Sequence, residues 1–164
     1  MKIKNIGSTH ILVYPYGFFE GAAADKMGGA GFILAISSVH TFNIKLGWGH
    51  NTNTREELLA LLALLLFSQD MGLPSLHIFG DSSVIINWAN NKASLSSMEL
   101  DHWCENIRHM IDSFLCLDIR HVYREHNERA NGLSKDSLAL APGQCSFSEV
   151  YDDIIIESGD FQHF

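Results

Sequence analysis

The order in which apolar periodicity changes along the chain constrains the fold more than any other feature of this sequence. Three N-terminal stretches rich in β-branched and aromatic residues are predicted to be strands. A segment with leucines at helical spacing follows, and then a strand, two helices, a strand and a last helix. The predicted order is therefore β-β-β-α-β-α-α-β-α, in which the first three strands form an antiparallel meander.

Glycine and proline mark several of the predicted boundaries. Gly72 and Pro74 end the first helix, and three glycines predict a turn at residues 27–31. Asp81 or Ser82 is predicted to cap the second helix. The predicted strands cover residues 10–19, 32–37, 41–46, 76–79 and 117–123, and the predicted helices cover residues 53–71, 82–88, 98–115 and 128–140.

Length and composition indicate a single globular domain. The chain has 164 residues, of which 46% are hydrophobic and 18% are charged, and this balance allows a buried core and is not typical of disorder. We expect an N-terminal extension at residues 1–9, the domain at residues 10–140 and an acidic C-terminal tail at residues 141–164. The apolar patch within that tail either docks on the domain or stays loose.

The formal net charge of -8 argues against nucleic-acid binding by bulk electrostatics, because phosphate contacts come from Lys and Arg. The acid is unevenly placed, since residues 141–164 hold five of the 19 acidic residues and no Lys or Arg. Residues 1–140 therefore carry 11 basic and 14 acidic residues, a net charge of -3. A small basic groove is compatible with this domain, and the acidic tail is a candidate contact for a protein partner.

The sequence also bounds the cellular compartment. Its three cysteines are odd in number and form no CxxC pair, which is typical of a reducing compartment. The N-terminal run is broken by His10 and Pro15 and does not predict a signal peptide. The longest apolar stretch, residues 58–67, is too short to span a bilayer. We expect an intracellular protein, in the nucleus or cytoplasm, with no membrane association.

Four polar residues lie at predicted strand ends or helix starts: Glu20, Glu57, Asp81 and Asn131. Such positions gather at one edge of an open α/β sheet, so we expect the three carboxylates to converge. An oxygen-only cluster suits Mg2+ or Mn2+, and bound cations of this kind catalyse phosphodiester cleavage. Close carboxylates also repel one another, which raises the pKa of at least one of them unless a cation binds.

Each of the four residues has a structural alternative when it is taken alone. Asp81 is a plausible helix N-cap, and Glu57 is favoured in a first helical turn by the helix dipole. Glu20 could be an ordinary strand-end acid, and Asn131 could be a solvated helix residue. The combination of all four is more specific than any one of them.

Four stretches of sequence surround these residues: FFEGAAADKMGGAGFIL (18–34), NTNTREELLALLALL (51–65), LHIFGDSSVIINW (76–88) and VYREHNERANGLSK (122–135). In this order and spacing they resemble the ribonuclease H family, in particular the reverse-transcriptase-like ribonuclease H domains of plants. The resemblance covers nearly all of residues 10–140. It implies a ribonuclease H-like α/β fold with flanking helices, a five-stranded mixed sheet of three antiparallel strands followed by two parallel strands, and a two-metal nuclease site.

The catalytic pattern of that family is Asp, Glu, Asp, Asp, which falls on Glu20, Glu57, Asp81 and Asn131. Glu20 keeps the carboxylate but adds a methylene, which moves its oxygens by roughly 1–1.5 Å, a displacement of the size that can cost about 100-fold in rate. Asn131 keeps one carbonyl oxygen and lacks the charge, so it would ligate a cation more weakly.

The resemblance implies a magnesium-dependent endonuclease that cleaves the RNA strand of RNA–DNA hybrids, with activity attenuated at these two positions. Manganese is expected to substitute for magnesium. The alternative is a nucleic-acid-binding or protein-interaction module that kept the fold and lost efficient catalysis.

Five further residues have expected roles next to these four. Arg124 and Asn127 are expected to contact the nucleic-acid backbone, by resemblance and by chemistry, and Asn53 and Arg55 could do the same from the start of the long helix. His126 is a candidate for proton transfer, although nine histidines in the chain make a chance placement easy.

Overall fold

Seven strands form one mixed sheet in the computed structural model, which describes residues 13–24, 27–49, 53–95 and 100–162. The strands are β1 (Tyr16–Ala24), β2 (Met27–Ala35), β3 (His40–Trp48), β4 (Ser75–Gly80), β5 (Cys116–His121), β6 (Gln144–Tyr151) and β7 (Ile154–Gln162). The helices are α1 (Asn53–Asp70), α2 (Ser83–Ala89), α3 (Asp101–Ser113) and α4 (Glu128–Ser137), with a 3₁₀ turn at Arg124–His126.

The pairing of the strands confirms the predicted ribonuclease H-like α/β fold. Strands β1, β2 and β3 form an antiparallel meander, while β4 and β5 run parallel to β1. The sheet order is β5-β4-β1-β2-β3-β6-β7. The first predicted strand begins at Tyr16 instead of residue 10, and residues 10–12 lie outside the described part of the chain. The start predicted for α3, at residues 98–99, lies outside it as well.

The sheet has seven strands instead of the expected five, because the C-terminal segment adds two. Residues 144–162 form a hairpin whose first strand pairs with β3. A two-residue turn, Asp152–Asp153, closes this hairpin with φ values of 53° and 63°, as a type I′ turn requires. His40 Nε2 on β3 lies 2.6 Å from Glu149 Oε2 on β6. The tail therefore docks on the domain through β6, while the isoleucines of its apolar patch, on β7, stay exposed.

The turn predicted at residues 27–31 is wrong, because these residues open β2. Their glycines allow α4 to pack closely on the sheet. A Cβ atom at Gly31 would lie 2.6 Å from the Cβ of Leu133, and one at Gly29 would collide with the Ser137 hydroxyl. Glycine at these positions therefore allows close packing between the helix and the strand, and it does not mark a change of chain direction.

Apolar side chains cover both faces of the sheet. The main core packs α1 against the sheet through four fully buried leucines, Leu58, Leu61, Leu64 and Leu65. Burial of each such side chain stabilises the fold by about 1.5–3 kcal/mol. A smaller cluster that includes Phe18, Phe79 and Ala130 forms a second core. None of the described helices has the length and apolarity needed to cross a membrane.

The N-terminal turn of α1 lies directly on β1 at Gly21. A Cβ atom at Gly21 would lie 2.6 Å from the Glu56 carbonyl oxygen and would overlap the Glu57 backbone nitrogen. Glycine is therefore required at this position by contact with backbone, which cannot rotate away as a side chain can.

We expect Gly21→Ala to lower the free energy of unfolding by about 1–3 kcal/mol, since the helix has to move to admit the methyl group. Gly132→Ala in α4 is the matched control, because nothing lies within 4 Å of a Cβ atom there and alanine favours a helix over glycine by up to about 1 kcal/mol. Urea denaturation of both variants measures the difference. Equal midpoints for Gly21→Ala and the wild type would contradict the close contact.

Candidate metal centre and groove

Strand register brings Glu20 and Asp81 together. Parallel pairing of β1 with β4 ends at Phe19 and Gly80. Glu20 and Asp81 are each the next residue along their chains, so they leave the last pair side by side. Gly31, the partner of Glu20 on β2, has no side chain, and α4 packs against β2 at this position through Leu133.

Glu57 reaches the same point from α1. Its backbone nitrogen lies against Gly21, the residue after Glu20. This close packing of helix and strand brings the third carboxylate to Glu20, as the sequence predicted. Glu20 itself lies in the middle of β1 and does not follow the strand, because pairing with β2 continues to Ala24. One oxygen from each of Glu20, Glu57 and Asp81 lies within 4.8 Å of the other two.

Hydrogen bonds connect the three carboxyl groups. The Glu20 carboxyl is hydrogen-bonded to Asp81, and Glu57 is hydrogen-bonded to Glu20 and to Ser82. Glu20 Oε1 also accepts a hydrogen bond of 3.1 Å from the Gly21 backbone N–H. The Ser82 hydroxyl accepts the Ile85 backbone N–H at 3.4 Å and caps α2, so Ser82, and not Asp81, is the N-cap residue.

The pKa of Glu20 is raised from 4.5 to about 9, and burial is the largest cause. The hydrogen bond to Asp81 and the charges of Asp81 and Glu57 contribute to this rise, while the bond from the Gly21 N–H opposes it. Only 5% of Glu20 is exposed to solvent. Without a cation, the Glu20 carboxyl therefore holds a proton at neutral pH.

Burial also raises the pKa of Glu57, and the charge of Asp81 acts in the same direction. Hydrogen bonds from Ser82 and Glu20 lower this pKa and oppose the effect in part. Two of the three carboxyl groups thus have a disfavoured charged form. A bound divalent cation would reverse this effect by favouring ionisation of all three.

The fourth predicted residue, Asn131, lies on α4 and lines the same groove as the three carboxylates. Its Oδ1 accepts a hydrogen bond of 3.3 Å from Arg124 Nη2. The amide oxygen that could ligate a cation is therefore hydrogen-bonded to a guanidinium. The groove encloses about 500 Å³, and Arg124 and Lys135 are the two basic residues among its lining.

Besides Arg124, four residues have predicted roles beside the nucleic acid, and the structure describes the side chains of three of them. Asn127 is 1% exposed, and its Nδ2 donates a hydrogen bond of 3.0 Å to the Phe19 carbonyl oxygen, which favours a structural role that ties the start of α4 to β1. Arg55 is half-buried in the first turn of α1, and the side chain of Asn53 lies outside the described residues. His126 is half-buried in the 3₁₀ turn.

Two residues near the centre were missed by the sequence reasoning. His121 ends β5 and its Nε2 lies 3.1 Å from the Asp81 carbonyl oxygen. Parallel pairing of Gly80 with His121 explains this proximity, and the predicted parallel strand order could have indicated it. Lys135 follows Asn131 by four residues, so helical spacing could have placed it on the same face of α4.

The family model described as reverse transcriptase-like matches residues 19–137 of the chain. No curated protein matches the sequence. The matched segment contains all four predicted site residues and ends before β6 begins.

Several solved ribonuclease H structures resemble the fold. Ribonuclease H1 of the halophilic archaeon Halobacterium salinarum matches with a TM-score of 0.68 and 24% identity, over 76% of this chain and 96% of that one. A compost-derived ribonuclease H1 in complex with an RNA/DNA hybrid matches with a TM-score of 0.69 and 21% identity, over 75% of this chain and 95% of that one. The N-terminal ribonuclease H domain of a Mycobacterium tuberculosis protein matches with a TM-score of 0.68 and 16% identity, over 76% and 94%.

The raised pKa of Glu20 makes stability depend on pH. The folded chain holds the Glu20 proton up to about pH 9, whereas the unfolded chain loses it near pH 4.5. Between these values the folded state binds more protons, so the free energy of unfolding falls as pH rises.

We therefore expect Glu20→Gln to stabilise the chain in EDTA by an amount on the order of 2 kcal/mol at pH 8 and close to zero at pH 4. Urea denaturation at both pH values measures this change. Glu105→Gln, at an exposed position of α3, is the control and should show little difference. A Glu20→Gln effect that is the same at both pH values would contradict the raised pKa.

Proposed function

Because the chain belongs to the reverse transcriptase-like family, we propose that it is a metal-dependent endonuclease that cleaves the RNA strand of RNA–DNA hybrids. The observation that carries this proposal is the convergence of Glu20, Glu57 and Asp81 within 4.8 Å. The ribonuclease H fold supports it, as does a compost-derived neighbour crystallised with an RNA/DNA hybrid.

The donor set fits a hard divalent cation. Glu20, Glu57 and Asp81 offer only carboxylate oxygens, which Mg2+ and Mn2+ prefer to nitrogen or sulfur. The raised pKa of Glu20 supports a cation here, because a positive charge would favour the ionised form of the three groups. Two bound Mg2+ ions, or Mn2+ in their place, would activate the attacking water and stabilise the leaving 3′ oxygen.

The groove beside the centre supplies the contacts for the substrate backbone. Arg124 and Lys135 are the two basic residues that line it, and both side chains suit phosphate oxygens. Asn131 Oδ1 holds the Arg124 guanidinium in place at 3.3 Å. Phosphate groups on either side of the cleaved bond would contact these two basic side chains, and the carboxylates would face the reacting phosphate. Contacts to successive 2′-hydroxyls would mark the RNA strand.

Glu20 and Asn131 are expected to slow the reaction. The extra methylene of Glu20 shifts its oxygens from where an aspartate would hold them, and rate is sensitive to displacements of about 1 Å. Asn131 contributes no negative charge. Its oxygen is directed to Arg124, so the cation site rests on three carboxylates.

A second candidate function is a binding module without turnover. It is favoured by the hydrogen bond between Glu20 and Asp81, because a proton held between these two carboxyl groups reduces their negative charge without a cation. Such a module would bind a hybrid or a duplex through Arg124 and Lys135, with an affinity that falls as salt rises. Hybrid binding at low salt without cleavage by the wild type or by Glu20→Asp would favour this function over the nuclease.

We expect the wild type to cleave a labelled RNA–DNA hybrid in Mg2+ or Mn2+, and Glu57→Gln to lower kcat by about 100-fold or more, because it removes a charge that the cation site needs. Glu105→Gln on α3 is the matched control and should cleave at the wild-type rate. A Glu57→Gln protein as active as the wild type would exclude the proposed centre.

We expect Glu20→Asp to raise kcat by about 10- to 100-fold with little change in KM, since it shortens the ligand and leaves the groove contacts unchanged. Single-turnover cleavage of the same hybrid separates the chemical step from binding. A fall in kcat for Glu20→Asp would show that the centre is built around the longer side chain.

A further inference from the structure

The terminal hairpin, residues 144–162, forms the edge of the sheet that lies farthest from β5. Its outer strand, β7, pairs with β6 along eight residue positions. Within the described part of the chain, no strand pairs with the other edge of β7. The backbone N–H and C=O groups along a free edge are a template for an added strand.

Large apolar side chains are exposed along this hairpin. Ile154, Ile155 and Ile156 are each between 57% and 66% exposed, and Tyr151 and Phe161 are about half exposed. The isoleucines are consecutive, so they point to both faces of β7, and both faces offer apolar contact to an added strand. Exposed apolar side chains of this density on one strand mark a binding surface.

The strand lacks several of the features that usually block edge pairing. Nine residues make it long for an edge strand, and it contains no Pro and no Lys. Two acidic residues, Glu157 and Asp160, are its only charged positions. A register shift opposite Glu149 and Val150 twists the hairpin near its turn, and the strand regains regular pairing beyond it.

Charge decides which occupant this edge would accept. The segment 141–164 carries five acidic residues and no Lys or Arg. Glu149 is paired with His40, while Asp152, Asp153, Glu157 and Asp160 are exposed. Pairing of two copies of β7 would bring two such acidic segments together, and like charges across strands are destabilising. An incoming strand with Lys or Arg would instead neutralise them.

We propose that the outer edge of β7 binds an extended segment of another protein in which β-branched or aromatic residues alternate with Lys or Arg, as an eighth strand of the sheet. Backbone hydrogen bonds would supply affinity, and the acidic residues would select the sequence. The edge lies outside the family match at residues 19–137. It is four strands from β1, about 19 Å at the usual strand spacing, so binding there leaves the metal centre open.

Three labelled synthetic peptides of nine residues test this proposal by fluorescence anisotropy with the full chain. The first alternates lysine with valine, the second alternates glutamate with valine, and the third has the charge of the first but proline in place of alternate valines. We expect the lysine–valine peptide to bind at least about 10-fold tighter than the other two, because only it offers both a strand and a positive charge. Hydrogen exchange should show new protection in β7.

The double variant E157K/D160K should reverse the preference, so that the glutamate–valine peptide binds more tightly than the lysine–valine peptide. E105K/D112K on α3 makes the same change in net charge away from the hairpin and should keep the wild-type preference. The milder E157Q/D160N should bind both charged peptides alike. Unchanged melting temperatures show that each variant is folded.

Three results would overturn the proposal. If the proline peptide binds as tightly as the lysine–valine peptide, the effect is nonspecific charge attraction. If E105K/D112K changes the peptide preference as much as E157K/D160K does, the hairpin is not the binding site. A dimer in analytical ultracentrifugation that E157K/D160K dissociates would assign the edge to a second copy of the chain. Hybrid cleavage by E157K/D160K should match the wild type, so this test stands or fails apart from the nuclease proposal.

Discussion

The contact between α1 and β1 at Gly21 is the constraint on which the candidate site depends. A helix usually packs against a sheet at a distance set by side chains, but at Gly21 backbone meets backbone. The first turn of α1 is thereby close enough for Glu57 to reach Glu20. The leucines of the same helix are buried farther along the sheet, so the hydrophobic core and the acidic centre are positioned by one rigid element.

This arrangement places three acidic side chains close together, with Glu20 buried and the other two half-buried, which opposes folding unless the charges are compensated. A proton on Glu20, shared by hydrogen bonding with Asp81, offers one form of compensation, and a divalent cation offers another. The two forms would compete, so the affinity for the proposed cation would depend on pH and rise as the proton is lost.

The sheet separates two kinds of surface. Beside β4 and β1, the starts of α1 and α4 contribute to a groove that is lined by the carboxylates and by Arg124 and Lys135. At the far edge the terminal hairpin offers apolar and acidic side chains and lies beyond the part of the chain that the family model matches. The acid there accounts for most of the net negative charge, so the chain as a whole is acidic although its groove carries basic residues.

Much of the fold and the centre could be predicted from the sequence, and the failures have a common cause. Local periodicity predicted the helices, the five strands of the family fold and the positions of Glu57 and Asp81 near a helix start and a strand end, whereas Glu20 lies within β1 and not at its end. The extra strands were missed because the alternation in residues 144–162 is interrupted by acids, and β6 is stabilised by pairing with β3, a partner about 100 residues away. The glycines of β2 were read as a turn because close packing by α4 has no signal in local sequence. The sequence by itself determined which residues are acidic and which elements carry them. Only the tertiary structure decided how close these residues lie, how deeply Glu20 is buried and which residue donates a hydrogen bond to the oxygen of Asn131. Distance and desolvation arise from contacts between segments that are remote along the chain, so local sequence does not determine them.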